Sequence, residues 1–281
     1  MSTPASAGPE RRVPVSASRS WTDLAATEVA AAVARDPVLV LPTAAVEQHG
    51  PHLPLSTDAD IGRGLLGEAL ARVADGVTVY TLPMQSVGAS AEHGRAPGTL
   101  DLGAAPFEEA VVAVGRSVAS AGVRRLVVHN SHGGNKATLD RAALRLRREC
   151  GLLVVKAHWF RFPRPDVGLP EGEWVHGLHG GAVETAMMLH LVPERVRTDR
   201  CVRFPSLGED LEGRLTHLGP EGAASFAWLA QDLNPEGVVG DAGLATPELG
   251  RRLVEHYAAV LARVIEDAAA FPLERLADLD G

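Results

Sequence analysis

Apolar and polar residues along this chain alternate between two periods. Val38-Leu39-Val40-Leu41-Pro42 is a continuous apolar run, the pattern of a strand buried on both faces. A turn-rich stretch over 47–57 follows. Beyond Asp58, Ile61, Leu65, Leu66, Ala69, Leu70 and Val73 recur at helical spacing. The same exchange then repeats. Strands are predicted over 77–82, 125–128 and 152–155, and helices over 105–121, 136–150, 181–191 and 247–270. An alanine-rich helix is predicted earlier, over 23–34. Gly122 is the expected C-cap of the helix over 105–121, and basic residues gather towards the end of the helix over 136–150. Strands that alternate with helices imply a mostly parallel sheet covered on both faces, an α/β fold. Residues 84–103 read as a long loop. The stretches 160–180 and 200–245 read as excursions at the edge of one domain spanning 21–281. Residues 1–20 are small, polar and proline-containing, and read as a flexible arm.

Composition narrows the function. Acidic residues outnumber basic ones, 35 to 27, for a net charge of −8. This opposes binding to nucleic acid or acidic membranes, which a basic surface would favour. Aromatics make up only 4%, too few for platforms that stack single-stranded bases. Two cysteines, Cys150 and Cys201, exclude a disulfide framework and suit a reducing compartment. No stretch has the apolar core of a secretory signal, and no run approaches the length of a membrane span. A cytoplasmic location is expected.

Eleven histidines stand out against this average background, and the chemistry gathers in four segments. In the first, Glu47-Gln48-His49-Gly50-Pro51-His52-Leu53-Pro54, a carboxylate and an imidazole lie two residues apart in extended chain after a predicted strand. That spacing puts them on one side, and the pair is a natural ligand set for Zn²⁺, Mn²⁺ or Fe²⁺. Asp58, just beyond, reads as a helix N-cap. Ser56 or Thr57 would cap equally well, leaving the Asp58 carboxylate available to bridge two metals. The second segment, Asn130-Ser131-His132-Gly133-Gly134-Asn135, joins a strand to a helix whose N-terminus suits an anion. The third runs from His176 to Thr185. Here Glu184 shares a helical face with Met187, Met188 and Leu191, a costly position for a carboxylate unless it is paired or metal-bound. The fourth, Ser90-Ala91-Glu92-His93-Gly94, either lines a substrate pocket or is solvated. Trp174 either covers a substrate ring or packs. Trp228 is expected at a subunit contact, Asn234-Pro235-Glu236-Gly237 as a turn and Asp241 as a cap. His158, His190, His217 and His256 are assigned to packing or the surface.

The octapeptide from Glu47 with Asp58, the segment from Asn130 to Asn135, and the run from His179 to Glu184-Thr185 resemble the creatininase family, over about residues 37–195. The resemblance implies a three-layer α/β/α fold, two divalent metals and a homo-oligomer, often a hexamer. It implies metal ligation by Glu47, His49, Asp58 (bridging) and His132, and proton transfer by His179. One departure is informative. Creatininase proper has a tyrosine and a glutamate where this chain has Gly133 and Gly134. Glu184 is the candidate for the missing carboxylate, both as ligand and in catalysis, and creatinine itself is put in doubt. The reaction expected is hydrolysis of a C–N bond in a cyclic amide, formamide or short peptide by metal-activated water. The backbone N–H groups of Gly133 or Gly134 would hold the oxyanion, and Ser90, Glu92, His93 and Trp174 would line the substrate. The alternatives are a hydrolase or isomerase of a cyclic ketone, or a binding protein without activity. Gly62-Arg63-Gly64-Leu65-Leu66-Gly67 fits a dinucleotide pattern but falls inside a predicted helix, so it is rejected. No P-loop, nucleophile-elbow or zincin motif is present.

Overall fold

Strand β1 (Val38–Thr43) lies at the middle of a four-stranded parallel sheet of order β2-β1-β3-β4, with β2 at Val79–Thr81, β3 at Arg125–Asn130 and β4 at Leu153–His158. The computed structural model describes residues 19–94 and 96–277. The arm expected over 1–20 therefore lies outside the described residues except for Arg19 and Ser20. Arg19 accepts a hydrogen bond at its carbonyl from the Thr81 N–H, 2.6 Å, and Ser20 bridges to Thr81.

Alternation of side chains along each strand divides the core into two layers. Leu39, Leu41, Leu126 and Val128 face Phe107, Val111 and Val112 of α3 (Ala104–Ser120) and Leu139 and Leu146 of α4 (Lys136–Cys150). Val38, Val40 and Val127 face Leu66 and Ala69 of α2 (Thr57–Leu70) and Leu261 and Ile265 of α9 (Pro247–Ala270). Helix α6 (Ala182–Leu191) packs outside this layer, with Met187 and Met188 against Ile61, Leu65 and Leu253. The three-layer α/β/α arrangement follows. Each fully buried aliphatic side chain contributes about 1.5–3 kcal/mol relative to exposure.

Local differences from the sequence reading have physical causes. The helix expected over 23–34 is two 3₁₀ turns, Trp21–Asp23 and Ala26–Glu28, followed by only five α-helical residues, α1 (Val29–Val33). The Glu28 carboxylate takes the Ala25 N–H, and in α1 only Ala32 is buried, so propensity has no apolar face to act with. Strands β3 and β4 run on to Asn130 and His158, past the apolar runs that marked them, because their polar last residues are buried in a network. The C-cap expected at Gly122 is present: its N–H reaches the Ala119 carbonyl and the Val123 N–H reaches that of Val118.

The excursions are α5 (Glu171–His176), β5 (Arg203–Phe204), α7 (Leu207–Leu211), β6 (Leu218–Gly219), β7 (Ala224–Ser225), α8 (Ala230–Leu233) and β8 (Gly240–Asp241). The turn at 234–237 and the cap at Asp241 form as expected: the Gly237 N–H meets the Asn234 carbonyl, and the Asp241 carboxylate accepts from the Gly243 N–H. Trp228 donates its Nε1–H to the Pro220 carbonyl.

In register, Thr43 of β1 sits beside Asn130 of β3, which sits beside His158 of β4. The three strands thus end level, and the segments that carry the chemistry leave from one rim. Open parallel sheets bind their ligands at this end. Two glycines test the packing. A Cβ at Gly250 would lie 1.8 Å from the Ala186 carbonyl oxygen, because α6 and α9 touch backbone to backbone there, whereas nothing lies within 4 Å of a Cβ at Gly67. Gly250→Ala should cost about 1–3 kcal/mol and lower Tm, while Gly67→Ala on exposed helix should add about 0.5–1 kcal/mol. Denaturant titration of both variants checks the pair, and equal effects would refute the close crossing.

Candidate metal centre

Five chain segments converge at the rim. Glu47 and His49 come from the β1–α2 connection, Asp58 from the first turn of α2, and Ser90, Glu92 and His93 from the loop before α3. His132 follows β3, and His179 and Glu184 flank the start of α6. Glu47, His49, Asp58, Ser90, His93 and His132 are all buried.

Asp58 lies between two imidazoles. Its Oδ1 is 3.3 Å from His49 Nε2 and its Oδ2 is 3.2 Å from His132 Nδ1. It is not a cap: its side chain turns inward from the first turn of α2. Ser56 stands at the cap position, but its hydroxyl donates to Asp60 Oδ2, 2.7 Å, rather than to the backbone. Glu47 Oε2 is 3.2 Å from His132 Nδ1 and accepts from the Ser90 hydroxyl, 3.0 Å. Its other oxygen is 3.4 Å from His93 Nε2 and 3.8 Å from His179 Nδ1. Glu184 Oε2 is 3.9 Å from His49 Nε2 and accepts the Gly180 N–H, 2.7 Å.

The outer nitrogens of these rings are anchored. His49 Nδ1 donates to the Glu47 carbonyl, 3.1 Å, His132 Nε2 donates to the Ala89 carbonyl, 3.0 Å, and His179 Nε2 donates to the Gln48 carbonyl, 2.8 Å. Each ring so fixed turns its other nitrogen towards the cluster, the arrangement of histidine ligands held from behind. Asn130 steadies the base of the site. Its amide nitrogen donates to the His132 carbonyl and to His158 Nδ1, and its oxygen accepts from Thr43 Oγ1 and Asn135 Nδ2.

Three sets of ligand atoms among the described residues lie within 4.8 Å of one another: Glu47–Asp58–His132, His49–His179–Glu184 and Glu47–His93–His179. Two buried atoms in the cluster, His49 Nε2 and Asp58 Oδ2, make no hydrogen bond. Buried polar atoms without a hydrogen-bond partner at the middle of a mixed imidazole–carboxylate cluster are what a divalent ion satisfies once the rings are neutral, so the residues fit the metals implied by the sequence.

Electrostatics agree. Burial opposes charge on His49, but Asp58, Glu184 and Glu47 outweigh it and raise its pKa to about 9. His132 is likewise opposed by burial and raised well above its ordinary value by Glu47 and Asp58. Burial works against ionisation of Asp58, yet His132 and His49 hold its carboxyl below the usual range. Burial raises Glu184 and Glu92. Burial, reinforced by His49 and its neighbours, lowers His179 well below 6.5 and His93 to about 3.

The sequence brought Ser90, Glu92 and His93 forward only as a loop that was either pocket or solvent. Ser90 and His93 are buried in the cluster, and Glu92 Oε1 is 3.5 Å from His132 Nε2. Gly133 and Gly134 form a 3₁₀ turn leading into α4. Trp174 packs in the apolar cluster with α6 and lies under the Arg164 guanidinium, 5.5 Å from the ring centre. Helix α6 is buried almost all round, so the apolar stripe that singled out Glu184 is less selective than it looked. Glu184 is placed by its position in the first turn and by the Gly180 N–H. Sequence reasoning missed Gln48, Asn130 and Glu173. The first two sat inside motifs already read for their histidines, and Glu173 carried no motif signal.

The fold and this centre define an α/β protein in which buried imidazoles and carboxylates form a candidate site for divalent metal. Residues 22–265 match the family model for creatininase, creatinine amidohydrolase. The chain is 34% identical to a mycofactocin precursor peptide peptidase of Mycolicibacterium smegmatis, over 77% of this chain and 79% of the relative. It is 34% identical to a creatinine amidohydrolase of Pseudomonas putida, over 61% of this chain and 71% of the relative. A solved structure named "Creatininase Mn" superposes with a TM-score of 0.74 at 27% identity, covering 90% of this chain and 99% of that one. The chain belongs to the creatininase family of amidohydrolases.

A metal bound here would compete with protons. In the metal-free protein His49, with its pKa raised to about 9, is protonated at pH 7.5, and His132 is shifted in the same direction, whereas a ring that binds metal must be neutral. Zinc binding should therefore release protons, and affinity should fall as pH drops from 9 towards 6. Calorimetry in buffers of different ionisation heat measures the release. Heats that do not depend on the buffer would contradict the protonation assigned to these rings.

Proposed function

We propose that this chain hydrolyses a C–N amide bond of a short peptide or peptide-like amide with the help of two divalent ions, Zn²⁺, Mn²⁺ or Fe²⁺. The observation that carries the reading is the Asp58 carboxylate between His49 and His132, with Glu47 on one side and Glu184 on the other. Glu47, Asp58 and His132 would hold one ion, and His49, Asp58 and Glu184 the other. When bound, such ions lower the pKa of water towards about 7 and polarise a carbonyl.

The remaining chemistry falls to the chain. His179 presents Nδ1 to the cluster while Nε2 is tied to the Gln48 carbonyl. Burial keeps it neutral, so it is ready to take a proton from the attacking water and pass it to the leaving nitrogen. Glu184 keeps the region around His49 negative as that proton moves. Gly133 and Gly134 precede α4, where the first N–H groups of a helix lack helical acceptors and suit a developing oxyanion.

A cleft of about 490 Å³ opens beside Gln48, lined also by Pro51, Ala96, Pro97, Pro235 and Glu236. It falls within the size range of small-ligand sites and exceeds the needs of a single small ring. That room, and the open space beside Gly133, where nothing lies within 4 Å of a Cβ, support a peptide over creatinine. No helix among the described residues is long and apolar enough to cross a membrane. The unpaired Cys150 and Cys201 support a cytoplasmic setting. Exposed Leu100, Leu102 and Leu218 support assembly into a homo-oligomer.

An amine-release screen over creatinine, formamides and short peptides tests the reading, with metal analysis alongside. Glu47→Ala, His49→Ala and His132→Ala should lose metal and turnover together. His179→Ala should keep metal and lose about 10²–10⁴-fold in kcat. Full turnover in His179→Ala would remove it from the mechanism, and a reaction without amine release would favour the cyclic-ketone alternative.

A further inference from the structure

The side-chain amide of Gln48 meets four polar groups at once, and their roles can be solved in order. Its Oε1 accepts the Gly50 N–H, 3.0 Å, and its Nε2 donates to the Gly237 carbonyl, 2.5 Å. These two bonds fix which end of the amide is nitrogen. One N–H of Nε2 remains for two ring nitrogens, His179 Nε2 at 3.3 Å and His93 Nδ1 at 3.0 Å. His179 Nε2 has the Gln48 backbone carbonyl at 2.8 Å, and a carbonyl can only accept, so that nitrogen carries a proton and cannot receive another donor. The remaining Gln48 N–H therefore goes to His93 Nδ1. An accepting Nδ1 is unprotonated, which leaves the ring proton of His93 on Nε2.

That proton points into the site. His93 Nε2 is 3.4 Å from Glu47 Oε1, and the ring lies 4.4 Å from the ring of His179, centre to centre. Distances alone put His93 in a possible ligand set with Glu47 and His179. A nitrogen that bears a proton has no lone pair for a metal, and moving the proton to Nδ1 would set it against the Gln48 N–H. The two neighbouring histidines thus have opposite polarity: His179 turns an acceptor to the cluster and His93 turns a donor.

We infer that His93 is a further catalytic residue, whose Nε2–H donates a hydrogen bond to the oxygen of the scissile carbonyl as it becomes an oxyanion, and that Gln48 is the positioning residue that holds the proton on that nitrogen. The inference rests on the amide-hydrolase reading. As the water oxygen bonds to the carbonyl carbon, the C=O π pair moves to oxygen, where the His93 N–H meets it. When that pair returns, the C–N bond breaks and the nitrogen leaves with the proton carried by His179. His93 itself neither gains nor loses a proton.

The tautomer can be read directly, without turnover. Long-range ¹H–¹⁵N correlation on the full chain labelled with ¹⁵N-histidine, metal-free and zinc-loaded, should show His93 protonated at Nε2 alone in both states. A proton on Nδ1, or an Nε2 resonance converted to a metal-bound one by zinc, overturns the inference. His93→Ala should keep the zinc content and lose about 10²–10³-fold in kcat with little change in KM, the loss of one oxyanion donor. His93→Gln, which restores an N–H, should recover part of it. Gln48→Glu, which replaces the donor by an acceptor, should move the His93 proton to Nδ1 and lower kcat with zinc retained. Zinc loss in His93→Ala, or unchanged kcat, overturns the assignment. Failure of every amide in the wild-type protein would sink the amide-hydrolase reading and the oxyanion role with it, whereas a wrong tautomer with amide turnover intact would sink only the role of His93.

Discussion

Glu47 sets the terms for everything around it. Its carboxylate is 1% exposed, so water cannot stabilise its charge, and a carboxylate buried without partners would be costly enough to stay protonated. The Ser90 hydroxyl donates to it, and His132 and His93 turn ring nitrogens towards it. Ser90 and His93 come from the loop before α3 and His132 from the end of β3. Satisfying one buried carboxylate therefore ties these two stretches into one position. Asp58 and its neighbours raise His49 and His132, so these rings hold protons that a divalent ion bound here would displace. The same charges that hold the loops together also reserve the site for cations.

The scaffold meets this demand with rigid parts. The level ends of β1, β3 and β4 put Thr43, Asn130 and His158 in one row, and the Asn130 amide links them to the His132 and Asn135 backbone and side chain. On the far side Glu173 of α5 plays the corresponding part. Its carboxylate accepts the Ala182 N–H, 2.6 Å, and the Asp241 N–H, 2.7 Å, and so fastens the start of α6 to β8. Burial raises its pKa while these two N–H groups lower it, so its charge depends on the backbone it holds. His179 and Glu184 lie within that fastened stretch. Their positions are thus set by backbone hydrogen bonds remote from the histidine–carboxylate cluster.

The sequence revealed those parts whose physics is local. The apolar runs of β1 and β3 and the helical stripes of α2, α4 and α9 could be read directly, because burial alone selects those residues. Glu47, His49, Asp58, His132, His179 and Glu184 could be read because uncommon residue types cluster beside strand ends and glycines. The choice between cap and inward carboxylate for Asp58 could not be made from the chain. It depends on the distance to His132, more than seventy residues away in sequence. Ser90 and His93 were ambiguous for the same reason, since only the closure of their loop over Glu47 separates pocket from solvent. Gln48 was hidden by strand alternation. A residue between two inward neighbours should face out, yet its long side chain returns to His93 and Gly237.

The glycine pair after His132 shows how such a site can change while its frame stays put. A Cβ at Gly134 would meet Glu92 Oε1 at 2.2 Å, His132 Nε2 at 2.5 Å and the Ala89 carbonyl at 2.5 Å. A glutamate at 134 would therefore require the backbone at Ala89 to withdraw, and with it the Ala89 carbonyl that anchors the outer nitrogen of His132. In the proposed centre the second carboxylate instead reaches His49 from α6, on the opposite side of Asp58, through Glu184. The loop before α3 is then free to close over His132, bringing Ser90 and His93 onto Glu47. In that proposal a carboxylate supplied from the helix keeps charge beside His49 while the loop before α3 carries His93 to Glu47. All of these groups sit on loops and a helix start beyond the strand ends, which is why a shared fold leaves the substrate to be argued from the loops.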